Sequence, residues 1–202
     1  MCGNAARCVG HLTFKSHISE QQHSFETAAG EVTVDVEDEE KVTVGMPAIK
    51  DITANQNFKF NSKNYTFTYL DSGVPHCVIR IDNFSQIESY KDLASSLRKK
   101  SEDRPRGSNV TFYSPTSNTS IQCASFERGV EDFTEACGTG AVAAAYCHSK
   151  DSKKTYIEAN MPGGRVFVDF SKITPYLIGP VKYDSTLFIE DIKALWTNSF
   201  TD

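Results

Sequence analysis

The feature that most constrains the fold of this chain is a short pattern that occurs twice, a Cys-Gly pair followed by alanines. The first copy is MCGNAARCVG at residues 1–10, and the second is CGTGAVAAAY at residues 137–146. Alanine is the strongest helix former, so each copy predicts a helix that begins at or just after its cysteine. Because internal repeats reflect architecture, the two copies predict two similar halves that face each other across a cleft.

A cysteine at the start of a helix has a particular chemistry. The first turn presents unpaired backbone N–H groups and partial positive charge, which can hold an anion. The same field stabilises a thiolate, so the pattern predicts a lowered pKa for a thiol such as Cys137. Two other interpretations stay open. Free cysteines are often inert residues of the core, and the two thiols would serve equally well as a redox switch that forms a disulfide.

The segment before the second copy adds charged groups. Phe126-Glu127-Arg128-Gly129 places a carboxylate and a guanidinium just ahead of a glycine break. Two opposed thiols suit the inversion of a carbon centre, because one takes a proton while the other returns one to the opposite face. Removal of the α-proton of an amino acid builds negative charge on its carboxylate, which two helix N-termini would stabilise. This scheme requires no pyridoxal lysine.

Four blocks of the sequence match a known family in order. They are MCGNAARC (1–8), SGVPHCV (72–78), GSNVTF (107–112) and FERG with ACGTGA (126–141); PGGR (162–165) and Gly179-Pro180 also fit. The chain resembles the diaminopimelate epimerases, cofactor-independent amino-acid epimerases and racemases that use two cysteines. The matching blocks span nearly the whole chain.

The resemblance implies an isomerase that converts LL-diaminopimelate into meso-diaminopimelate, in lysine and peptidoglycan-precursor biosynthesis, without cofactor or metal. It implies an α+β fold of two similar halves, each a mixed or antiparallel sheet wrapped around a central helix. Cys2 and Cys137 would be the acid/base pair, with His76, beside Cys2, and Glu127 as polar partners. Contacts to the substrate carboxylate and ammonium are implied for Gly3, Asn4, Gly138 and Thr139, and contacts to its distal end for Asn109, Glu127 and Arg128.

The sequence departs from the family pattern at Val74. The family has an asparagine there, in a Gly-Asn-Pro-His run, and that asparagine contacts the distal end of diaminopimelate. A site built to pair polar groups discriminates strongly when one partner is missing. The reaction type is therefore better supported than the substrate, and another cofactor-independent amino-acid racemase of the same family is the alternative.

A second departure lies at the N-terminus. Family members carry a long segment before the first Cys block, whereas this sequence starts inside that block. We therefore expect an N-terminally truncated epimerase with an incomplete first half, inactive or very weak as written, since a displacement of ~1 Å costs a catalytic group about a hundredfold in rate. Either the start was assigned too late, or the chain is a paralogue that only binds a ligand or a partner. The DNA upstream of Met1 separates these explanations.

Composition excludes several other functions. The 202 residues carry a net charge of −5, so there is no basic footprint for nucleic acid. No apolar run approaches the ~20 residues that cross a bilayer, and no signal peptide is evident. We predict a cytoplasmic protein whose partner is a small-molecule amino acid, and a homodimer is left open. The six cysteines include no Cys-x-x-Cys pair, so a zinc site is not indicated.

Hydrophobic periodicity places the other elements. Val32, Val34 and Val36 alternate with polar residues, which predicts half-buried antiparallel strands. Met46-Pro47 breaks the pattern, so a linker is predicted up to Asn57. A helix is predicted over Gln86–Lys100, a strand over Val181–Tyr183, and a strand or short helix over Leu187–Trp196. The other predicted strands are Ser24–Ala28, Lys41–Met46, Phe58–Phe60, Tyr65–Leu70, His76–Ile81, Asn109–Ser114, Ser120–Glu127, Thr155–Asn160, Arg165–Asp169 and Tyr176–Gly179.

Three segments follow from the break at residue 47. Residues 1–47 are predicted to be a remnant of the N-terminal epimerase domain, and residues 48–184 the C-terminal epimerase domain. Residues 185–202 are predicted to be a tail that returns to the first domain.

Overall fold

Both copies of the Cys-Gly pattern start a helix. A computed structural model describes residues 2–28, 30–99 and 107–184 of the protein. Helix α1 spans Gly3–Lys15, and the helix of the second copy spans Gly138–Ser152. The cysteine before each helix has an extended backbone, with φ of −120° at Cys2 and −126° at Cys137, as N-cap residues do. The predicted helix starts are therefore confirmed.

The rest of the described chain is mainly strand. The helices after α1 are a 3₁₀ helix, Phe84–Tyr90, then α2, Lys91–Leu97, and α3, Gly138–Ser152. The strands are β1 (Gln22–Thr27), β2 (Gly30–Val36), β3 (Val42–Gly45), β4 (Lys50–Phe60), β5 (Lys63–Asp71), β6 (Pro75–Arg80), β7 (Asn109–Ser117), β8 (Ser120–Phe126), β9 (Phe133–Thr134), β10 (Tyr156–Met161), β11 (Gly164–Asp169) and β12 (Tyr176–Gly179).

These strands join in one mixed sheet. Its order is β1-β2-β3-β12-β11-β10-β8-β7-β6-β5-β4, with β9 paired to β8. The pairs β6–β7 and β8–β10 are parallel, while the others are antiparallel. Helix α3 lies in the crossover that makes β8 and β10 parallel, as such connections require. The α+β class with a mixed sheet and few helices is confirmed.

Helix α3 lies at the centre of the main core. Its residues from Gly138 to Ala145 are all buried, because a run of small side chains lets the sheet approach the helix closely. The valines of β2 and β3 and Ala6 of α1 belong to the same hydrophobic cluster. A second cluster packs Leu93 and Leu97 of α2 against β5–β8. The site described below lies where α1 and α3 meet.

The predicted linker up to Asn57 is wrong, because β4 begins at Lys50 and pairs with β5. The first part of the strand was missed because Lys50–Asn55 are all exposed, so they show no alternation of apolar and polar positions. Its register is also irregular between Lys50 and Gln56, and Asp51 and Asn55 have positive φ. Backbone pairing at the sheet edge, rather than burial of one face, holds this segment.

Two other predictions are corrected. The segment Gln86–Lys100 is not one helix, because Phe84–Tyr90 is 3₁₀ and the α-helix ends at Leu97. Asn83 caps the 3₁₀ segment by accepting a hydrogen bond from the Ser85 N–H at 3.0 Å. No strand forms over Val181–Tyr183. The prediction for Leu187–Trp196 lies outside the described residues, and the division into domains at residue 47 stays a prediction.

In the described ranges, none of the helices combines the length and the apolar composition that a membrane span requires.

Candidate active site

The two helix starts abut each other. A Cβ built on Gly138 would lie 3.4 Å from the Gly3 Cα and 3.0 Å from Leu177 Cδ2, and one on Gly3 would lie 2.7 Å from the same leucine methyl. The absence of side chains at both positions therefore lets the first turns of α1 and α3 approach within van der Waals contact. Their backbone N–H groups, which lack partners within the helix, converge on one region.

Polar contacts fix the two helix starts relative to the loops around them. The Asn4 Nδ2 donates to the Ala136 carbonyl at 3.3 Å, and Arg7 Nη2 donates to Asn4 Oδ1 at 3.1 Å. The Ser72 hydroxyl, at the turn before β6, donates to the Thr139 carbonyl at 2.8 Å. These bonds tie α1 to the loop before α3, and α3 to the turn before β6.

A cavity of about 200 Å³ opens at this junction. All of the site residues predicted from the sequence line it, except His76. The lining residues are Cys2, Gly3, Asn4, Val74, Asn109, Glu127, Arg128, Ala136, Cys137, Gly138 and Thr139. The structure thus brings together two thiols, two helix starts and a charged pair that are up to 137 positions apart in the sequence. A cavity of this size suits a small molecule.

Cys2 and Cys137 differ in their surroundings. Cys2 is exposed, whereas the Cys137 residue is only 7% exposed. Burial raises the pKa of the Cys137 thiol above its ordinary value, and the charge of Glu127 adds to the rise. Donors from Thr139, the Gly140 N–H and Ser125 oppose the rise but do not cancel it. The lowered pKa predicted from the helix start is therefore wrong for Cys137, because the loss of water outweighs these donors.

His76 lies behind the cavity, in β6, and is fully buried. Its Nδ1 is 2.8 Å from the Thr111 hydroxyl and its Nε2 is 3.0 Å from the Thr139 hydroxyl. Burial lowers the pKa of His76 to about 3, so the imidazole is neutral at neutral pH. Both ring nitrogens bind hydroxyls, so the expected direct contact with Cys2 is not formed. His76 instead reaches Cys137 through Thr139, whose hydroxyl is 3.5 Å from the Cys137 sulfur.

The charged pair lies at the end of β8. Thr134 donates its hydroxyl proton to the Glu127 carboxylate, and Asn109 Oδ1 accepts from the Arg128 N–H at 2.9 Å. Glu127 is half-buried, while Arg128 is exposed. Asn109 therefore positions the backbone that carries Arg128, an exposed residue that lines the cavity. The predicted roles of these residues in substrate binding stay predictions.

Two larger grooves lie elsewhere, with volumes of about 700 and 720 Å³. Neither contains Cys2 or Cys137, so chemistry rather than size identifies the candidate site. Within residues 2–28, 30–99 and 107–184, no group of three or more His, Cys, Asp or Glu side chains is arranged to hold a metal ion.

Sequence reasoning missed two residues at this site, Thr111 and Ser125. Both are buried, with Thr111 on β7 directly opposite Ser125 on β8, and their hydroxyl oxygens are 2.8 Å apart. The sequence feature that could have identified them is a polar residue at a strand position that faces the interior. The Thr111 hydroxyl is also 2.8 Å from His76 Nδ1, so the two residues extend the hydrogen bonds of His76 on the side opposite Thr139.

The family model and the curated relatives that match this chain carry the same description, diaminopimelate epimerase. A sequence model described as diaminopimelate epimerase matches residues 68–184. The chain is 32% identical to a diaminopimelate epimerase of Aquifex aeolicus over 177 residues, which cover 85% of this chain and 62% of that protein. It is 32% identical to one from Methanocella arvoryzae over 198 residues, covering 90% of this chain and 69% of that protein. The chain spans 52% of a third relative, from Hydrogenobaculum, so it covers less than two thirds of some of these relatives.

Solved structures share the fold at low sequence identity. A probable proline racemase from Agrobacterium radiobacter superposes with a TM-score of 0.68 at 15% identity, covering 94% of this chain and 68% of that chain. A PhzF-family phenazine biosynthesis protein from Bacillus anthracis superposes with a TM-score of 0.67 at 12% identity, covering 93% and 76%. The chain therefore shares its fold with these two solved structures.

Proposed function

Because this chain belongs to the diaminopimelate epimerase family, we propose that it inverts the α-carbon of an amino acid by proton transfer between Cys2 and Cys137. The reaction we propose is the conversion of LL-diaminopimelate into meso-diaminopimelate. The observation that carries this proposal is that both helix-start thiols line one small cavity. It does not depend on a pyridoxal group or a metal ion.

The proton balance of the proposed reaction is simple. The Cys2 thiolate takes the α-proton from one face of the substrate, and the Cys137 thiol gives its proton to the carbon from the other face. After the reaction, Cys2 is a thiol and Cys137 is a thiolate. The raised pKa of Cys137 supports this starting state, because a buried thiol next to Glu127 stays protonated near neutral pH. Cys2, which is exposed, is the thiol that can exchange its proton with water.

Charge that develops on the substrate carboxylate needs donors already in place. The first turns of α1 and α3 supply backbone N–H groups at Gly3, Asn4, Gly138 and Thr139, all of which line the cavity. Two helix N-termini also contribute partial positive charge at this point. The carboxylate of the substrate would therefore lie between the two helix starts, with its α-carbon between the two sulfurs.

Val74 favours a second candidate for the substrate. Val74 lines the cavity and offers no hydrogen bond. Asn109, Glu127 and Arg128 remain to bind a distal polar group. If Val74 instead faces an apolar group, the substrate is a different amino acid and the chain is a related racemase. Proline racemase and hydroxyproline epimerase are the names given to two proteins of this fold.

A screen for solvent exchange at the α-carbon tests the proposal. The purified chain is incubated in D₂O with LL- and meso-diaminopimelate, proline, hydroxyproline and histidine, and loss of the α-proton signal is followed by NMR. We expect exchange with diaminopimelate. Exchange with proline or histidine alone would reject the substrate and keep the reaction type. Absence of exchange with all of them would reject the proposed function.

A substitution at Val74 sharpens the choice of substrate. Val74→Asn adds an amide in the cavity, so diaminopimelate exchange should rise by about tenfold if a distal polar group lies there, as one hydrogen bond to a charged group contributes about 1.5 kcal/mol. Val74→Leu is the matched control, since it changes size without adding a donor or acceptor. Equal rates in the Asn and Leu variants would show that no distal polar group lies beside residue 74.

A further inference from the structure

Helix α1 carries a buried cation in its second turn. Arg7 is only 7% exposed, and its guanidinium lies against Gly179 of β12, where an added Cβ would be 3.5 Å from Arg7 Nε. Because burial of an unpaired charge is costly, buried arginines are almost always paired with an acidic group. The place of Arg7 in the fold therefore calls for a partner or a function.

No acidic side chain pairs with Arg7 in residues 2–28, 30–99 and 107–184. None of the ion pairs formed in these ranges includes Arg7, and its Nε and Nη1 are buried without a hydrogen bond there. Burial lowers the pKa of Arg7, while the charges of Cys8 and Cys2 oppose that change. An arginine nevertheless stays charged in a protein, so α1 holds a positive charge that none of these residues neutralises.

The third guanidinium nitrogen binds a residue of the candidate site. Arg7 Nη2 donates to Asn4 Oδ1 at 3.1 Å, and Asn4 Nδ2 donates to the Ala136 carbonyl at 3.3 Å. A flipped amide would set Nδ2 against the guanidinium, with donor facing donor, and Oδ1 against the carbonyl, with acceptor facing acceptor. The two bonds together therefore allow only one orientation of the Asn4 amide.

This orientation decides what Asn4 offers to a ligand. Asn4 lines the cavity, and a Cβ built on Gly138 would lie 3.6 Å from Asn4 Oδ1, so the amide lies between the two helix starts. An amide NH₂ group carries two protons, and the Ala136 carbonyl accepts one of them. The second proton can bind a carboxylate between the helices. A flipped Asn4 would instead present its oxygen to that carboxylate and repel it.

We infer that Arg7 is a positioning residue, which holds the Asn4 amide with its N–H groups toward Ala136 and the substrate carboxylate. The role toward the carboxylate rests on the proposed function. The orientation of the amide depends only on Arg7 and the Ala136 carbonyl, whatever substrate the protein binds. The unpaired charge of Arg7 is then retained for the function of the site and not for the stability of the fold.

A structural role for Arg7 would have a different consequence. If the guanidinium anchored α1 on β12, its removal would destabilise the fold. Because Arg7 has no acidic partner in the described ranges, an apolar side chain of similar volume should leave the fold as stable or make it more stable. Methionine is a suitable replacement, since it is unbranched, apolar and adaptable in a core. Arg7→Met therefore separates an effect on the site from an effect on stability.

Urea unfolding of the full chain, followed by circular dichroism, is the first measurement. We expect the urea midpoint of Arg7→Met to equal or exceed that of the unmodified chain. A lower midpoint, or a variant that no longer folds, would overturn the inference, because Arg7 would then be needed for the fold itself.

The orientation of the Asn4 amide can be observed directly by NMR. In ¹⁵N-labelled protein, the NH₂ signals of Asn4 are identified by their disappearance in Asn4→Ala. We expect nuclear Overhauser effects from these protons to Ala136 and Cys137 in the unmodified chain, and their loss in Arg7→Met. His11→Met is the matched control, because His11 is also a buried polar residue of α1 and does not line the cavity. Retained effects in Arg7→Met, or an equal loss in His11→Met, would overturn the inference.

A double-mutant cycle on α-proton exchange tests the link to the reaction. Arg7→Met should lower kcat/KM for the amino acid that exchanges best by about tenfold, as loss of one hydrogen bond to a charged group does. In an Asn4→Ala background the same substitution should change kcat/KM little, because no amide is left to orient. Equal losses in both backgrounds would overturn the inference. If no amino acid exchanges, the proposed function fails, while the urea and NMR results still decide whether Arg7 orients Asn4.

Discussion

The two helix starts have the same local sequence pattern and different surroundings. Cys2 precedes a helix whose first turn is open to solvent at Ala5, and Cys2 itself is exposed. Cys137 precedes a helix that is enclosed by the sheet, and its sulfur is 3.5 Å from the buried Thr139 hydroxyl. The local pattern therefore sets where each helix begins, while the tertiary neighbours set the state of each thiol. A pair that differs in this way suits one base and one acid.

The largest difference we expect between the two thiols is in their reactivity. Near neutral pH, iodoacetamide should modify Cys2 about a hundredfold faster than Cys137, because only an accessible thiolate is a good nucleophile. Burial keeps Cys137 protonated and covered. Time-resolved peptide mass spectrometry of the folded chain measures both rates in one sample. Cys123, for which burial raises the pKa to about 12, should react more slowly still. Equal alkylation rates at Cys2 and Cys137 would contradict the expected difference between the two thiols.

The third residue after each cysteine gives the second test. A Cβ on Gly140 would lie 2.0 Å from the Ser125 hydroxyl oxygen, whereas Ala5, at the equivalent position of α1, is exposed. Gly140→Ala should therefore lower the free energy of unfolding by about 1–3 kcal/mol through overpacking. Ala5→Gly should cost about 1 kcal/mol, as expected for helix propensity alone. Urea unfolding followed by circular dichroism measures both.

A second substitution identifies the cause of the Gly140→Ala effect. In a Ser125→Ala background the oxygen that the new Cβ meets is absent, so Gly140→Ala should cost less than it does in the unmodified chain. A double-mutant cycle gives the coupling directly. Additive costs would show that the tight contact with Ser125 is not what requires a glycine there.

The buried imidazole gives a smaller effect that depends on pH. The pKa of His76 is about 3 in the folded chain and about 6.5 for an unperturbed histidine. Below about pH 6.5 the unfolded state thus binds a proton at His76 that the folded state does not bind. The free energy of unfolding therefore keeps its full value above about pH 6.5 and falls as the pH falls toward 3. This linkage contributes a loss of about 2 kcal/mol between about pH 7 and pH 5.

Two histidine variants isolate that contribution. His76→Asn should reduce the dependence of the unfolding free energy on pH over this range, whatever its effect on stability at neutral pH. His17→Asn is the control, because His17 is exposed and its positive φ suits asparagine. Parallel pH slopes for the His76 variant and the unmodified chain would contradict a neutral, buried His76.

The same comparison shows what the sequence could predict. Both helix starts follow from short-range chemistry, since the glycines and alanines after Cys2 and Cys137 favour a helix whatever surrounds them. The family blocks then placed residues such as Asn109 and Glu127 at one site. The first part of strand β4 could not be predicted, because Lys50–Asn55 are exposed and carry no periodicity, whereas its end was predicted as the strand Phe58–Phe60. The sequence over Gln86–Lys100 predicts one helix, whereas the structure has a 3₁₀ segment, Phe84–Tyr90, followed by α2, Lys91–Leu97.

The hydrogen bonds that run from Cys137 through Thr139 and His76 to Thr111 and Ser125 could not be predicted, for a different reason. Thr111 and Ser125 are ordinary polar residues of strands, and only the register of β7 against β8 places them opposite each other. His76 was expected beside Cys2 because of its place in a family block. The structure instead turns it toward Thr111 and Thr139, both of which require the sheet and α3 to be assembled first. The pKa of Cys137 depends on that assembly, which explains why the helix-start argument gave the wrong direction.

The most direct test of the central claim is inversion by single-thiol variants. With the amino acid that exchanges best, Cys2→Ala and Cys137→Ala should each lose inversion and slow α-deuterium incorporation by at least about a hundredfold, the range expected for loss of an acid or base group. Cys8 lies on the helix that follows Cys2, and Cys147 lies on the helix that follows Cys137, so Cys8→Ala and Cys147→Ala are the matched controls and should retain the rate. Full exchange and inversion in Cys137→Ala would contradict a mechanism that uses two thiols across one cavity.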